Sequence, residues 1–76
     1  MTLDNIKIGE RAKITAVNGE KSLRCHLLDM GLIPGTIVEK IKVAPMGDPM
    51  QIRLRGYELT IRNEDGARIT VEEVKA

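Results

Sequence analysis

The chain has 76 residues, 42% of them apolar, with Tyr57 as its single aromatic residue; 12 Lys and Arg stand against 11 Asp and Glu, a formal net charge of +1. A unit of this length buries only about 60–65% of the surface its unfolded chain exposes, so one small aliphatic core is all it can hold. A lone Cys25 and a lone His26 exclude an internal disulfide and a zinc site of ordinary ligand count, and the near-balanced charge creates no strong field to gather nucleic acid or an anionic membrane.

In chain order, Leu3, Ile6 and Ile8 precede Gly9 in an approach segment, after which RAKITAV alternates Ala12, Ile14 and Ala16 against Lys13, Thr15 and Val17. The alternation predicts a first strand with the first three facing inward. Asn18-Gly19 then punctuates, and residues 20–30 predict a helix that ends at Gly31, where a left-handed cap is commonly glycine. On a helical wheel Leu23, His26, Leu27 and Met30 share one face, which leaves Leu28 off the core stripe.

The next apolar pair, Leu32 and Ile33, falls in a loop between Gly31 and Pro34-Gly35. TIVEKIKV predicts a second strand whose two phases conflict, and a β-bulge near Glu39 would let Val38, Ile41 and Val43 all point inward. APMGDP follows as a stiff exposed loop, since Pro45 and Pro49 cannot donate to a ladder. MQIRLRGYELTIR alternates cleanly and predicts a hairpin turning at Arg55-Gly56, with Met50, Ile52, Leu54, Tyr57, Leu59 and Ile61 inward. NEDGAR predicts a turn or single helical turn, and Ile69 and Val71 mark a last strand. Five short strands, one helix after the first, and Gly or Pro at the corners predict a mainly β protein, its bent sheet closed into a barrel without exposed edges.

The chemistry-bearing residues are sparse. Cys25 and His26 are neighbours on a helix and point about 100° apart, so the pair alone is a poor metal site. Neither a Ser-His-Asp pattern nor a phosphate-binding glycine loop is present, and the expectation is no enzyme, no cofactor and no metal. Lys40, Lys42, Arg53, Arg55 and Arg62 are expected outward and could form a basic strand face for nucleic acid, against which stand Glu39, Glu58 and the absence of interleaved aromatics. A protein partner accounts best for the surplus apolar groups: Leu28, Leu32 and Ile33 at one corner and Met46 on the proline loop, with Asp48 beside it; for Leu32 and Ile33 the alternative is that they cap the end of the barrel, which leaves Leu28 and Met46 as the stronger candidates. No apolar run reaches the ~20 residues that cross a bilayer, and MTLDNIKIGE has neither a basic n-region nor an apolar h-region; a soluble, cytoplasmic protein without membrane insertion is expected.

LLDMGLIPGT, then VAPMGDPMQIRLRGYELTIR and ITVEEV, resembles the FeoA family of bacterial ferrous iron uptake. The resemblance runs from Ile8 to Val74 and is most specific at Leu27, Leu28, Gly31, Pro34 and Gly35 and at the run that includes Pro45, Gly47 and Pro49, with Gly56 at the hairpin. It implies one SH3-like domain over residues 1–76, in free-standing form since no helix-turn-helix accompanies it. It also implies a partnership with FeoB, a membrane Fe(II) transporter with a cytoplasmic GTP-binding domain, and no bound cofactor. Lys40 stands where the family often carries an apolar residue.

Overall fold

A computed structural model describes residues 1–74, so the domain boundary expected at residue 76 lies outside the described residues. A short 3₁₀ turn, Leu3–Asn5, leads into β1 (Arg11–Val17), followed by helix α1 (Lys21–Asp29), β2 (Ile37–Val43), β3 (Met50–Leu54), β4 (Tyr57–Ile61), the single helical turn α2 (Asn63–Gly66) and β5 (Ile69–Glu73). All pairings are antiparallel and the strand order is β4-β3-β2-β1-β5. The sheet curls around one aliphatic core built from Leu3, Ile6, Ala12, Ile14, Val38, Met50, Ile52, Leu54, Ile69, Val71 and others. It does not close through hydrogen bonds: β4 and β5 are its two ends. The barrel is therefore looser than the closed one expected.

The two ends are treated differently. β5 is covered by the N-terminal segment, where Thr2 bridges Thr70 and the Val71 N–H donates to the Met1 carbonyl at 2.8 Å. Leu3 and Ile6 of the approach segment are buried, whereas Ile8 is exposed.

Local irregularities decide which residues face the core. A bulge at Thr15 shifts β1 against β5, so Val17 is buried and Ala16 only half-buried, the reverse of simple alternation. In β2 the register shift lies between Lys40 and Lys42 and not at Glu39. Val38 and Lys40 consequently share the inward phase, while Ile41 and Val43 are half-buried. Lys40 is only 8% exposed; its aliphatic stem occupies the space and its Nζ reaches the Ile6 carbonyl at 3.0 Å. The hairpin is as the sequence predicts, with Arg55 and Gly56 both at positive φ (49° and 84°), the geometry of a type I′ turn. Met50, Ile52 and Leu54 are buried behind it, but of the β4 set only Ile61 is; Leu59 is half-buried and Tyr57 exposed, because β4 is the bare end of the sheet.

Candidate docking surface

The corner after α1 is built by a helix cap. Gly31 sits at φ 97°, the Leu32 N–H donates to the Leu27 carbonyl at 3.2 Å and the Gly31 N–H to the Leu28 carbonyl at 2.9 Å. This is the Schellman arrangement, in which the residue after the left-handed glycine folds back onto the helix. Leu32 therefore packs into the core beside Leu27 and is 0% exposed, which removes it from the docking residues expected at this corner. Leu28, expected off the core stripe, is half-buried and packs against the core. His26, expected on that stripe, is exposed. Ile33 remains outside at 39% exposure, where it opens a turn through Pro34 and Gly35 that the Thr36 N–H closes onto the Ile33 carbonyl at 3.0 Å. Pro at the second position and Gly, φ 95°, at the third mark a type II turn.

Tyr57 seals this corner from the sheet side. Its hydroxyl donates to the Met30 carbonyl at 2.8 Å, which satisfies one of the carbonyls that a helix end leaves open. A Cβ on Gly31 would collide with that hydroxyl, so the glycine serves both the backbone angle and the close approach.

The proline loop, residues 44–49, is pinned at several points. The Ala44 N–H donates to the Pro49 carbonyl at 2.9 Å and the Gly47 N–H to the Ala44 carbonyl at 2.7 Å. From outside, Asn63 of α2 donates its N–H to Asp48 Oδ1 at 2.8 Å and its Nδ2 to the Gly47 carbonyl at 2.7 Å. The Asp48–Pro49 peptide is cis. At the tip Met46 is 95% exposed. Beside it lies a hollow of about 360 Å³ lined by Lys42, Val43, Ala44, Pro45, Pro49, Gln51 and Thr60. The order of this loop lowers the entropy lost when a partner immobilises it, and a projecting thioether adapts to an irregular apolar contact. The loop's stiffness was legible from its prolines; the hollow was not, because Thr60 comes from β4.

Corner and loop do not form one patch. The corner adjoins Leu54 and Tyr57 at the hairpin end of β3, and the loop enters β3 at Met50. Four residue steps separate them, about 13 Å along an extended strand. Asp48 uses its carboxylate within the loop, holding Asn63.

The basic strand face is also interrupted. Lys40 is inward, Arg62 lies 4.0 Å from Glu64, and Arg53 Nη2 donates to Glu58 at 2.8 Å. Glu58 also accepts from Gln51 Nε2. The hydrogen bond from Arg53 holds the Glu58 carboxyl below its usual value and, reciprocally, Glu58 raises that of the guanidinium. Cys25 and His26 are exposed, and among the described residues no three His, Cys, Asp or Glu side chains group to hold a metal ion. No described helix is long and apolar enough to cross a membrane.

A family profile for the FeoA domain matches residues 1–73. The chain is 33% identical, over its whole length, to a Fe(2+) transport protein A/Fe(2+) transporter FeoB fusion protein of Porphyromonas gingivalis, of which it spans 9%. Among solved structures, a FeoA-like protein from Clostridium acetobutylicum is 34% identical with a TM-score of 0.92, the match covering 100% of this chain and 88% of that one. A Stenotrophomonas maltophilia FeoA, solved with zinc and described as a prokaryotic SH3 domain protein, superposes with a TM-score of 0.82 over 95% of this chain and 89% of that one; at 20% identity it speaks for the SH3-like fold alone.

Proposed function

The chain belongs to the FeoA family, and from that premise we propose that it is a cytoplasmic accessory protein of ferrous iron uptake that docks on the GTP-binding region of a FeoB-type membrane transporter and modulates it through protein–protein contacts. The observation that carries this reading is the fusion: in the Porphyromonas gingivalis relative, a segment 33% identical to this entire chain is joined to the transporter in one polypeptide. Tethering holds two modules at an effective concentration of about millimolar, which favours pairs that act on each other.

The residues offered for contact are Met46 with the hollow beside it, and Ile33 with the exposed part of Leu28 at the other end of β3. Met46 is the stronger anchor, because burying a Met side chain that stands free in solution yields about 1.5–3 kcal/mol and the loop beneath it is already ordered. Asp48 contributes by shaping that loop. Binding of the transporter's purified soluble region, followed by calorimetry for wild type and for Met46→Asp and Ile33→Asp, tests the reading. The expected outcome is at least about tenfold weaker binding for Met46→Asp; unchanged affinity in both folded variants would exclude this surface.

A further inference from the structure

The outer face of β1, β2 and β3, turned away from the core, carries a feature that the loop and corner leave unused. Its register places Arg11 opposite Glu39, Glu39 opposite Arg53 and Arg53 opposite Glu58; in the adjacent row Lys13 lies opposite Ile37. A shallow depression of about 170 Å³ opens here, lined by Arg11, Ile37, Glu39, Arg53 and Arg55, with Gly56 at its rim. Three arginines and one glutamate thus line it around an Ile side chain that is 47% exposed. Arg53 is engaged by Glu58 and Arg55 Nη2 donates to the Thr36 hydroxyl at 3.0 Å, but among the described residues Arg11 makes no ion pair.

Arg55 adds a second observation. Among the described residues it is the one non-glycine at positive φ. It holds the first position of a two-residue turn where Asn, Asp or Gly is favoured, and a left-handed non-glycine residue costs about 1–2 kcal/mol. Strain kept where another residue would relieve it points to a use for the side chain.

We propose that this depression binds an extended acidic peptide segment of a protein partner, its carboxylates held by Arg55 and Arg11 and an aliphatic side chain between them packed on Ile37. Guanidinium groups suit planar carboxylates, which they can hold through paired hydrogen bonds. A nucleic-acid strand fits less well: its unbroken row of phosphates would meet Glu39 and Glu58 between the arginines, whereas a peptide with two spaced carboxylates sets charge only beside Arg11 and Arg55, and no aromatic lines the depression to stack a base. The proposal is independent of docking through Met46, which lies on the loop at the far end of β3.

The full chain, labelled with ¹⁵N, would be titrated with the acetylated and amidated peptide Asp-Ser-Leu-Ser-Asp, which when extended sets both carboxylates and the Leu on one face. Saturable shifts centred on Arg11, Ile37, Arg53 and Arg55, weaker at high salt and absent with the Asn-Ser-Leu-Ser-Asn analogue, are expected. Arg55→Asn should weaken binding about tenfold, the effect of losing one charge-assisted hydrogen bond, while its melting temperature changes little, because the turn geometry that Asn accepts offsets the lost bond to the Thr36 hydroxyl. Met46→Asp should leave this titration unchanged. The proposal is overturned if no saturation develops where a site of about 1 mM affinity would show it, if the amide analogue binds equally, or if a thymidine decamer binds more tightly. It is overturned too if Arg55→Asn lowers the melting temperature with peptide affinity intact, which would make Arg55 a structural residue only.

Discussion

The corner after α1 and the proline loop have similar sequences and opposite fates. Both set apolar residues among Gly and Pro, and both invite a reading as docking surface. The corner turns inward: Leu32 is sealed and Leu28 packs on the core. The loop turns outward, with Met46 almost wholly in solvent. The difference lies in what each segment must connect. The corner ends a helix over the open side of a sheet, where the Schellman cap and the Tyr57 hydroxyl draw the chain back onto the core. The loop joins two neighbouring strands beyond the end of the core and is tied to α2 by backbone and amide bonds that leave its tip free. Apolar residues in a turn are therefore surplus only if the helix or strand before them does not fold them back.

The contrast can be broken most forcefully at Leu32. Leu32→Ala empties a fully buried site, and a loss of about 2–5 kcal/mol is expected against a total of about 4–11 kcal/mol for a domain of this length; urea unfolding would show it, and a loss below 1 kcal/mol would mean that the corner is not part of the core. Gly31→Ala comes next. It forces a left-handed Ala and displaces the Tyr57 hydroxyl, an expected cost of about 1–3 kcal/mol, visible as a lower thermal midpoint.

Tyr57→Phe keeps the ring and removes the bond to Met30, for an expected loss of about 0.5–1 kcal/mol. Hydrogen exchange at the end of α1 should quicken in step. Met46→Ser is the counterpart on the loop: stability should stay within about 0.5 kcal/mol of wild type, so a larger change in the unfolding midpoint would show that the loop tip is structural after all.

The smallest effect belongs to Glu58, between the two regions on β4. Its folded-state pKa is depressed by the Arg53 hydrogen bond, so the stabilisation it gives is present above the unfolded value and is lost as pH falls through the folded one. Glu58→Gln should be slightly less stable than wild type at neutral pH and indistinguishable from it in strong acid. Paired denaturation curves at the two pH values decide this, and a gap that persists in acid would assign the effect to packing.

Much of this was legible along the chain. Alternation placed Met50, Ile52, Leu54, Ile69 and Val71 inward, Arg55-Gly56 marked the hairpin, and the residues of the two Gly- and Pro-rich runs carried the family resemblance. These features depend on neighbours within a few positions. What only the folded chain decided depends on partners far apart in sequence. The bulge at Thr15 is visible only as a mismatch against β5 and turned Val17 inward; the phase conflict in β2 announced a bulge, but only pairing with β3 placed it at Ile41, past Lys40, which therefore stays inward with Val38. The hollow beside Met46 needs Thr60 from β4, and the groove around Ile37 gathers arginines from β1, β3 and the hairpin turn. The sealing of Leu32 was half local, since a cap glycine followed by Leu is a known fold-back signal, and half tertiary, since a hydrophobic core had to be there to receive it. Local backbone preference determined where the chain turns; long-range strand register determined which side chains those turns left in water.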